Sequence, residues 1–226
     1  MITNKEGNVI GVPGYSGYLA FWVNQKIMDN AGITSIDTKE DFKKYMSAAS
    51  VNGTYGYGGS WEKTYVFNEI AQFVNMFGGD YFDWTRPENK EAIQFLYDMV
   101  QNKQTPIDQI ADKYEQMNPK ANDGKYGCWF MWGLGSDYQK AGMLGDDKIH
   151  MAMVPSMTDD GNRAIFTDSW SYVLNSASKN KEAAIKFLKY MASEGGMEAS
   201  YKAFDRYPAR KDVAEKVVPD SDPAKE

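Results

Sequence analysis

The sequence has one cysteine and one histidine among 226 residues. A disulfide needs two cysteines, and a structural zinc site needs several cysteine or histidine ligands. We therefore expect a core that is stable without a disulfide, no metal site and no cofactor. His150 alternates with Ile149 and Met151 in a strand pattern, and we interpret it as a structural or surface residue, not as a catalytic base.

Long apolar segments and an excess of positive charge are also missing. The longest unbroken apolar run is Tyr18 to Val23, whereas a membrane-spanning helix needs about 18 such residues or more. The opening residues show no targeting peptide. The net charge is −6, and a nucleic-acid partner would require a clustered excess of lysine and arginine. We expect no membrane span and no nucleic-acid partner.

Aromatic residues are abundant, at 14% of the chain, with 6 Trp and 15 Tyr. Such side chains combine an apolar face with a polar tip, which suits wet binding surfaces as well as cores. Helix and strand patterns alternate along the chain, so the expected fold class is α/β, with a sheet covered by helices. Helices are expected at 24–30, 39–49, 61–77, from 87 onward and at 180–193, with one more helix that follows and ends at 204. Strands are expected at 8–12, 18–23, 125–132, 149–154, 163–167 and 171–175.

Glycine, proline and capping residues mark the ends of these elements. Thr38 and Asp41 have the spacing of a capping box, which predicts a helix beginning at residue 39. A turn is expected in the Gly/Pro-rich residues between the first two strands, and an irregular loop over 55–60. Gly195 and Gly196 are expected to end the helix over 180–193.

Three tryptophans are predicted to lie at the ends of such elements: Trp61 at a helix start, Trp132 at a strand end and Trp170 at a strand start. In α/β proteins, ligands gather at element ends and in crevices. A sugar ring needs an aromatic platform for its C–H face and polar partners for its hydroxyls. Asp168 and Ser169, beside Trp170, provide such partners, so the pattern favours a carbohydrate site.

Two other functions remain open at this stage. Paired carboxylates, with Glu62 and Asp168 as candidates, could hydrolyse or cleave glycosidic bonds, although spacing alone does not show whether they face each other. The third possibility is a structural or adhesive surface protein without a small-molecule ligand.

Nine segments, in order along most of the chain, resemble the solute-binding proteins of ABC sugar importers, the family that includes maltose-binding protein. The first four of them resemble the "GVP … YN … AGI … TWDE" progression of that family. The segments are residues 11–13, 21–24, 31–33, 38–42, 78–80, 122–133, 153–155, 176–184 and 208–212.

The resemblance implies a type II periplasmic-binding-protein fold, in which two lobes close on a ligand by a hinge motion. It assigns 14–153 to the second lobe, and 1–13 with 154–226 to hinge strands and part of the first lobe. It also implies that most of the first lobe is absent and that this chain alone binds weakly. The implied protein is a non-enzymatic receptor, extracellular as a lipoprotein or periplasmic, with a carbohydrate ligand and membrane permease subunits as partners.

Carried over position by position, the resemblance places Trp61, Trp132, Trp170 and Tyr15 at the interlobe cleft. Together with Glu62, Asp168 and Ser169 they form the predicted ligand-binding set. Two positions depart from the family. The family usually has an aromatic residue near the end of the 124–135 segment, where this chain has Leu134 or Gly135, and this difference puts stacking at Trp132 in doubt. The family also has a Gly-Gly pair before the return strand, where this chain has Ser169-Trp170, which predicts additional aromatic surface.

Overall fold

The computed structural model describes residues 2–133, 138, 142–145 and 148–220. The chain forms two compact units, a larger one of residues 19–166 and a smaller one that combines the residues up to Tyr18 with those from Thr167 onward. Leu134 and Gly135 lie outside the described residues. The strands are β1 Ile2–Thr3, β2 Val9–Asn24, β3 Tyr55–Gly58, β4 Tyr126–Trp132, β5 Ile149–Ala152 and β6 Thr167–Tyr172. The helices are α1 Gln25–Asn30, α2 Lys39–Ala49, α3 Val66–Met76, α4 Pro87–Gln101, α5 Tyr114–Asn122, α6 Lys181–Met191, α7 Glu194–Phe204 and α8 Lys211–Val217, with a 3₁₀ helix at Ile107–Ala111.

The larger unit is built on a mixed sheet with the order β3-β4-β2-β5. Strand β4 pairs parallel with β3 and antiparallel with the second half of β2, and β5 pairs antiparallel with β2. Six of the seven residues of β4 are buried, as expected for a strand covered on both faces. Phe21, Phe73 and Phe130 lie in one continuous core with apolar residues of α1 to α4. The α/β class predicted from the sequence is confirmed.

The smaller unit contains the first half of β2, which pairs antiparallel with β1 and with β6. Helices α6 and α7, and then α7 and α8, pack against each other. Its buried apolar residues include Met197, Val213, Ala214 and Val218.

Strand β2 is continuous, so the turn expected between residues 12 and 18 was wrong. Backbone pairing with β6 runs from Val12 to Tyr18, with a register shift between Pro13 and Tyr15. A bulge of this kind accommodates a proline, which has no N–H to donate. Gly14 serves close packing, because an added Cβ would lie 2.7 Å from the ring of Tyr172. The partner strand is likewise one element, 167–172, where the sequence predicted two.

The loop expected over 55–60 was also wrong, because residues 55–58 form β3. Its glycines lie where neighbouring elements leave no room for a side chain. A Cβ on Gly56 would lie 2.5 Å from the backbone of Met46, and one on Gly58 would lie 2.2 Å from the ring of Tyr126. The residues that face these glycines belong to other elements and cannot be identified from the local pattern. For that reason the glycines were interpreted as part of a loop.

Three further expectations need correction. Helix α3 begins at Val66, so Trp61 precedes it by several residues, and Trp170 lies within β6, not at its start. Gly195 and Gly196 lie in the first turn of α7, where the Ser193 side chain caps the helix by accepting a bond from the N–H of Gly196. Helices α5 and α8 were not predicted, since their apolar periodicity is weak.

The predicted capping box at the start of α2 is present. The Thr38 hydroxyl accepts from the N–H of Asp41, and the Asp41 carboxylate accepts from the N–H of Thr38. We expect Thr38→Ala to lower the free energy of unfolding by about 1 kcal/mol, because the N–H of Asp41 at the helix start loses its acceptor. Thr38→Ser keeps the hydroxyl and is the control. Equal urea midpoints for the two variants would contradict a contribution from the cap.

Candidate functional site

In the larger unit, Trp61 is held by a buried carboxylate of α3. Its indole N–H donates to Glu69 Oε2 at 2.9 Å. Glu69 also accepts from the hydroxyl of Tyr57 and from the N–H of Ser60. Burial raises the pKa of Glu69, and these three donors oppose the rise. The position of Glu69 in the first turn of α3 also favours negative charge.

The loop that carries Trp61 is fixed on a second side by the 3₁₀ helix and the residue after it. The N–H of Gly59 donates to the side chain of the fully buried Gln109, and the N–H of Trp61 donates to the Gln109 carbonyl. The Ser60 hydroxyl and the Glu62 N–H both donate to the carbonyl of Asp112. Loop 59–62 is therefore held by hydrogen bonds from two directions.

Trp132, at the end of β4, is held in the same way as Trp61, by a hydrogen bond from its indole N–H to a side-chain oxygen. Its indole N–H donates to the Tyr114 hydroxyl at 3.1 Å, and that hydroxyl also accepts from the side-chain amide of Asn68. Burial raises the pKa of Tyr114 to about 12, so the phenol stays protonated at neutral pH. Phe166 packs edge-on against Trp132 with ring centroids 5.9 Å apart. The indoles of Trp61 and Trp132 are thus linked to two adjacent residues of α3: Trp61 bonds directly to Glu69, and Trp132 is linked to Asn68 through the Tyr114 hydroxyl.

In the smaller unit, Tyr15, Asp168 and Trp170 form one cluster where β2 pairs with β6. The rings of Tyr15 and Trp170 stack at 5.8 Å with an interplanar angle of 11°, and the Arg206 guanidinium lies 4.1 Å from the centre of the Tyr15 ring. The Trp170 N–H donates to Asp168 Oδ2 at 2.6 Å. The indole is thereby fixed while 56% of the residue remains exposed.

The remaining predicted residues, Glu62 and Ser169, are surface groups near these clusters. Ser169 is exposed on β6, opposite Ser16. Glu62 accepts from the N–H of Thr64 at 2.9 Å, and this backbone bond lowers the pKa of its carboxyl. At neutral pH Glu62 is therefore a carboxylate, able to accept a hydrogen bond but not to donate a proton.

Each unit contains a part of the predicted set: Trp61, Glu62 and Trp132 belong to the larger unit, and Tyr15, Asp168, Ser169 and Trp170 to the smaller. That all seven line one site stays a prediction. Glu69, Tyr114 and Asn68 were not predicted from the sequence, although Glu69 and Tyr114 each accept from an indole N–H and Asn68 donates to the Tyr114 hydroxyl. An acidic residue inside the apolar stripe of a helix was the available signal for Glu69.

Comparison with known proteins identifies the family. The family described as bacterial extracellular solute-binding protein matches residues 2–198. The chain belongs to this family. The arabinooligosaccharide-binding protein of Halalkalibacterium halodurans is 28% identical over 92% of the chain, and the match spans 49% of that protein.

The family fold is seen in solved structures as well. Maltose-bound MalE3 of T. maritima superposes with a TM-score of 0.78 at 20% identity, covering 96% of this chain and 60% of that one. A solute-binding protein of an ABC transporter from Thermotoga lettingae, bound to α-D-tagatose, gives a TM-score of 0.78 at 20% identity, covering 100% and 59%. The chain therefore spans about half to three fifths of the length of these family members, and it shares the fold of solute-binding proteins.

The family is an extracellular one, which implies a periplasmic or cell-surface location. Within the part of the chain that the structure describes, no helix is both long and apolar enough to cross a membrane.

Proposed function

We propose that this protein is the carbohydrate-binding receptor of an ABC import system and delivers a mono- or oligosaccharide to membrane permease subunits. Family membership and the sugar-binding relatives support the proposal. The observation that carries it furthest is the exposed indole of Trp170, which is fixed on Tyr15 and bonded to Asp168.

Trp170 has the properties that a sugar platform requires. Its ring is immobilised before any ligand arrives, so little side-chain entropy is lost on binding. Its exposed apolar surface matches the C–H face of a sugar ring. A flexible or fully buried indole would offer neither advantage.

Asp168 supports the same proposal through its second oxygen. Oδ1 is buried and has no hydrogen-bond partner among the described residues. A buried acceptor without a donor costs about 1–3 kcal/mol, so a hydroxyl donor that reached it, once the atoms covering it had moved, would recover part of that cost. Sugar hydroxyls are such donors, and the exposed hydroxyl of Ser169 adds a further polar partner on the same strand.

We further propose that Trp61, Trp132 and Glu62 of the larger unit contact the same ligand as Tyr15, Ser169 and Trp170, in an interlobe cleft. Residues 14–153 would then form the second lobe, and 1–13 with 154–226 the hinge strands and part of the first. A ligand that contacts both lobes only when they are closed shifts the population toward the closed form. We also propose that the protein is a cell-surface lipoprotein or a free periplasmic protein.

The enzymatic alternative is not favoured. The relatives that the chain matches are binding proteins. A general acid in glycoside hydrolysis needs a raised pKa, whereas the hydrogen bond from the Thr64 N–H lowers the pKa of Glu62.

The proposal is tested by titrating the full-length gene product with arabino-oligosaccharides, maltose and tagatose while tryptophan fluorescence is recorded. Saturable quenching or enhancement by at least one saccharide is expected, together with a rise in Tm that grows with ligand concentration. A response to peptides or polyamines with none to any saccharide would refute the carbohydrate assignment.

Trp170→Ala is expected to weaken binding of the best saccharide about tenfold or more, because the stacking surface is lost. Trp84→Ala is the matched control, since Trp84 is exposed to a similar degree, 54%, and lies outside the predicted set. The two affinities are compared by isothermal titration calorimetry. If both variants bind as the wild-type protein does, Trp170 is not a contact.

A further inference from the structure

Glu69 is a buried acidic side chain that accepts hydrogen bonds from β3 and from the loop that follows this strand. It is 1% exposed, and no lysine or arginine forms an ion pair with it among the described residues. Burying an ionisable carboxyl without a cation is costly unless hydrogen bonds compensate. Three hydrogen-bond donors supply that compensation, and an apolar residue at this position would leave all three without an acceptor.

Those donors are the Tyr57 hydroxyl, the Ser60 N–H and the Trp61 indole N–H. Tyr57 is a core residue of β3, whereas Ser60 and Trp61 belong to the loop that follows this strand. The carboxylate therefore joins the rigid sheet and helix α3 to a loop. A carboxyl group has two acceptor oxygens and an amide has one, which makes Glu69 better suited than a glutamine to fix three converging donors.

Gly59 shows how closely the chain is packed around this bond. A Cβ at position 59 would lie 2.6 Å from Glu69 Oε2 and 2.6 Å from Trp61 Nε1, the two atoms that form the hydrogen bond. Only glycine leaves this pair undisturbed. The side chain of Gln109 holds the Gly59 N–H from another direction, so the backbone cannot easily move away.

We propose that Glu69 is a positioning residue that fixes the orientation of the Trp61 indole for ligand binding. Gly59 contributes by leaving free the space that this hydrogen bond occupies. The proposal rests on the proposed function for its ligand. Its geometric part, the control of the indole by the carboxylate, stands independently of any ligand and is tested separately.

The first experiment uses no ligand. In the protein labelled with ¹⁵N-tryptophan, six indole N–H cross-peaks are expected, and Trp61→Phe identifies the peak of Trp61 by its loss. Glu69→Gln places an amide N–H₂ among three donors, so at least one bond is broken. We expect this variant, and Gly59→Ala, to shift the Trp61 peak more than any other indole peak. A glutamine whose oxygen takes the Oε2 position would keep the Trp61 bond, so Glu69→Ala, which removes both oxygens, is recorded as well. An unchanged Trp61 peak in both Glu69→Gln and Glu69→Ala would overturn the proposal.

Tyr45→Phe is the matched control for lost stability. It removes another buried hydrogen bond of the larger unit, from the Tyr45 hydroxyl to the Gly127 carbonyl at 2.8 Å, without touching Trp61. We expect a comparable lowering of the urea midpoint with the Trp61 peak in place. If Tyr45→Phe moves this peak as much as Glu69→Gln does, the effect is a general loosening of the unit and the proposal fails.

The second experiment is a double-mutant cycle with arabinotriose and maltose as probes. Glu69→Gln is expected to weaken binding about tenfold in the wild-type background, and by less than twofold in the Trp61→Phe background, where the N–H is absent. Additive effects of the two substitutions would show that Glu69 acts by another route and would overturn the proposal. If neither sugar binds the wild-type protein, the proposed function fails, and the indole spectra alone decide the role of Glu69.

Discussion

Phe130→Ala is expected to lower the free energy of unfolding by about 3–5 kcal/mol. Phe130 lies in the centre of β4 and is completely buried. Its ring centroid is 5.2 Å from that of Phe21, 5.8 Å from that of Phe73 and 6.4 Å from that of Tyr57. These neighbours belong to β2, α3 and β3, and they cannot all move to fill the cavity, because each is also fixed by its own element.

Urea unfolding followed by tryptophan fluorescence is the appropriate measurement, since five of the six tryptophans lie within residues 19–166. Phe82→Ala is the control: it removes the same side chain from a site where 92% of the residue is exposed, and we expect no measurable change. Equal midpoints for Phe130→Ala and Phe82→Ala would show that Phe130 is not part of a rigid core.

The elements that could be predicted from the sequence are those determined by local contacts. Helix α2 begins and ends where the pattern placed it, because a capping box and an apolar stripe lie within the same segment. Helix α4 begins at Pro87 for an equally local reason, since proline at the first helical position loses no hydrogen bond. The strand at 126–132 was predicted because its segment is short, apolar and aromatic.

The errors lie where a distant residue decides the local conformation. Glycine is read from sequence as a turn former, yet Gly14 is opposed by Tyr172 and Gly56 by Met46, each from a separate element. The same is true of Gly196, where a Cβ would lie 2.1 Å from the Tyr190 carbonyl oxygen at the end of the preceding helix. A single sequence gives no indication of such close approaches.

In the candidate site, too, local features were predicted from the sequence and contacts with more distant residues were not. Aromatic content and position indicated Trp61, Trp132 and Trp170, but the groups that orient the first two were not anticipated. Glu69 is 8 residues from Trp61, and Tyr114 is 18 residues from Trp132. For Trp170 the partner is Asp168, only 2 residues away, and here the sequence did suggest the association.

Gly56→Ala is expected to lower the free energy of unfolding by about 3 kcal/mol, although it adds a single methyl group. The added Cβ would lie 2.5 Å from both the Cα and the carbonyl oxygen of Met46 in α2. Backbone atoms cannot rotate away as a side-chain end can, so α2 and β3 would have to separate. Gly195→Ala is the control: no atom lies within 4 Å of its added Cβ, and helix α7 should gain slightly from alanine.

A pair of double variants distinguishes a backbone clash from a side-chain clash. Removing the Met46 side chain should not relieve Gly56→Ala, because the opposing atoms are backbone, so Met46→Ala and Gly56→Ala are expected to be additive in urea unfolding. At Gly58 the opposing atoms belong to the ring of Tyr126, so Tyr126→Ala should recover part of the cost of Gly58→Ala. Rescue of Gly56→Ala by Met46→Ala would contradict the close approach of α2 to β3. Because β3 leads directly into the loop that carries Trp61, this close approach also determines where that loop begins.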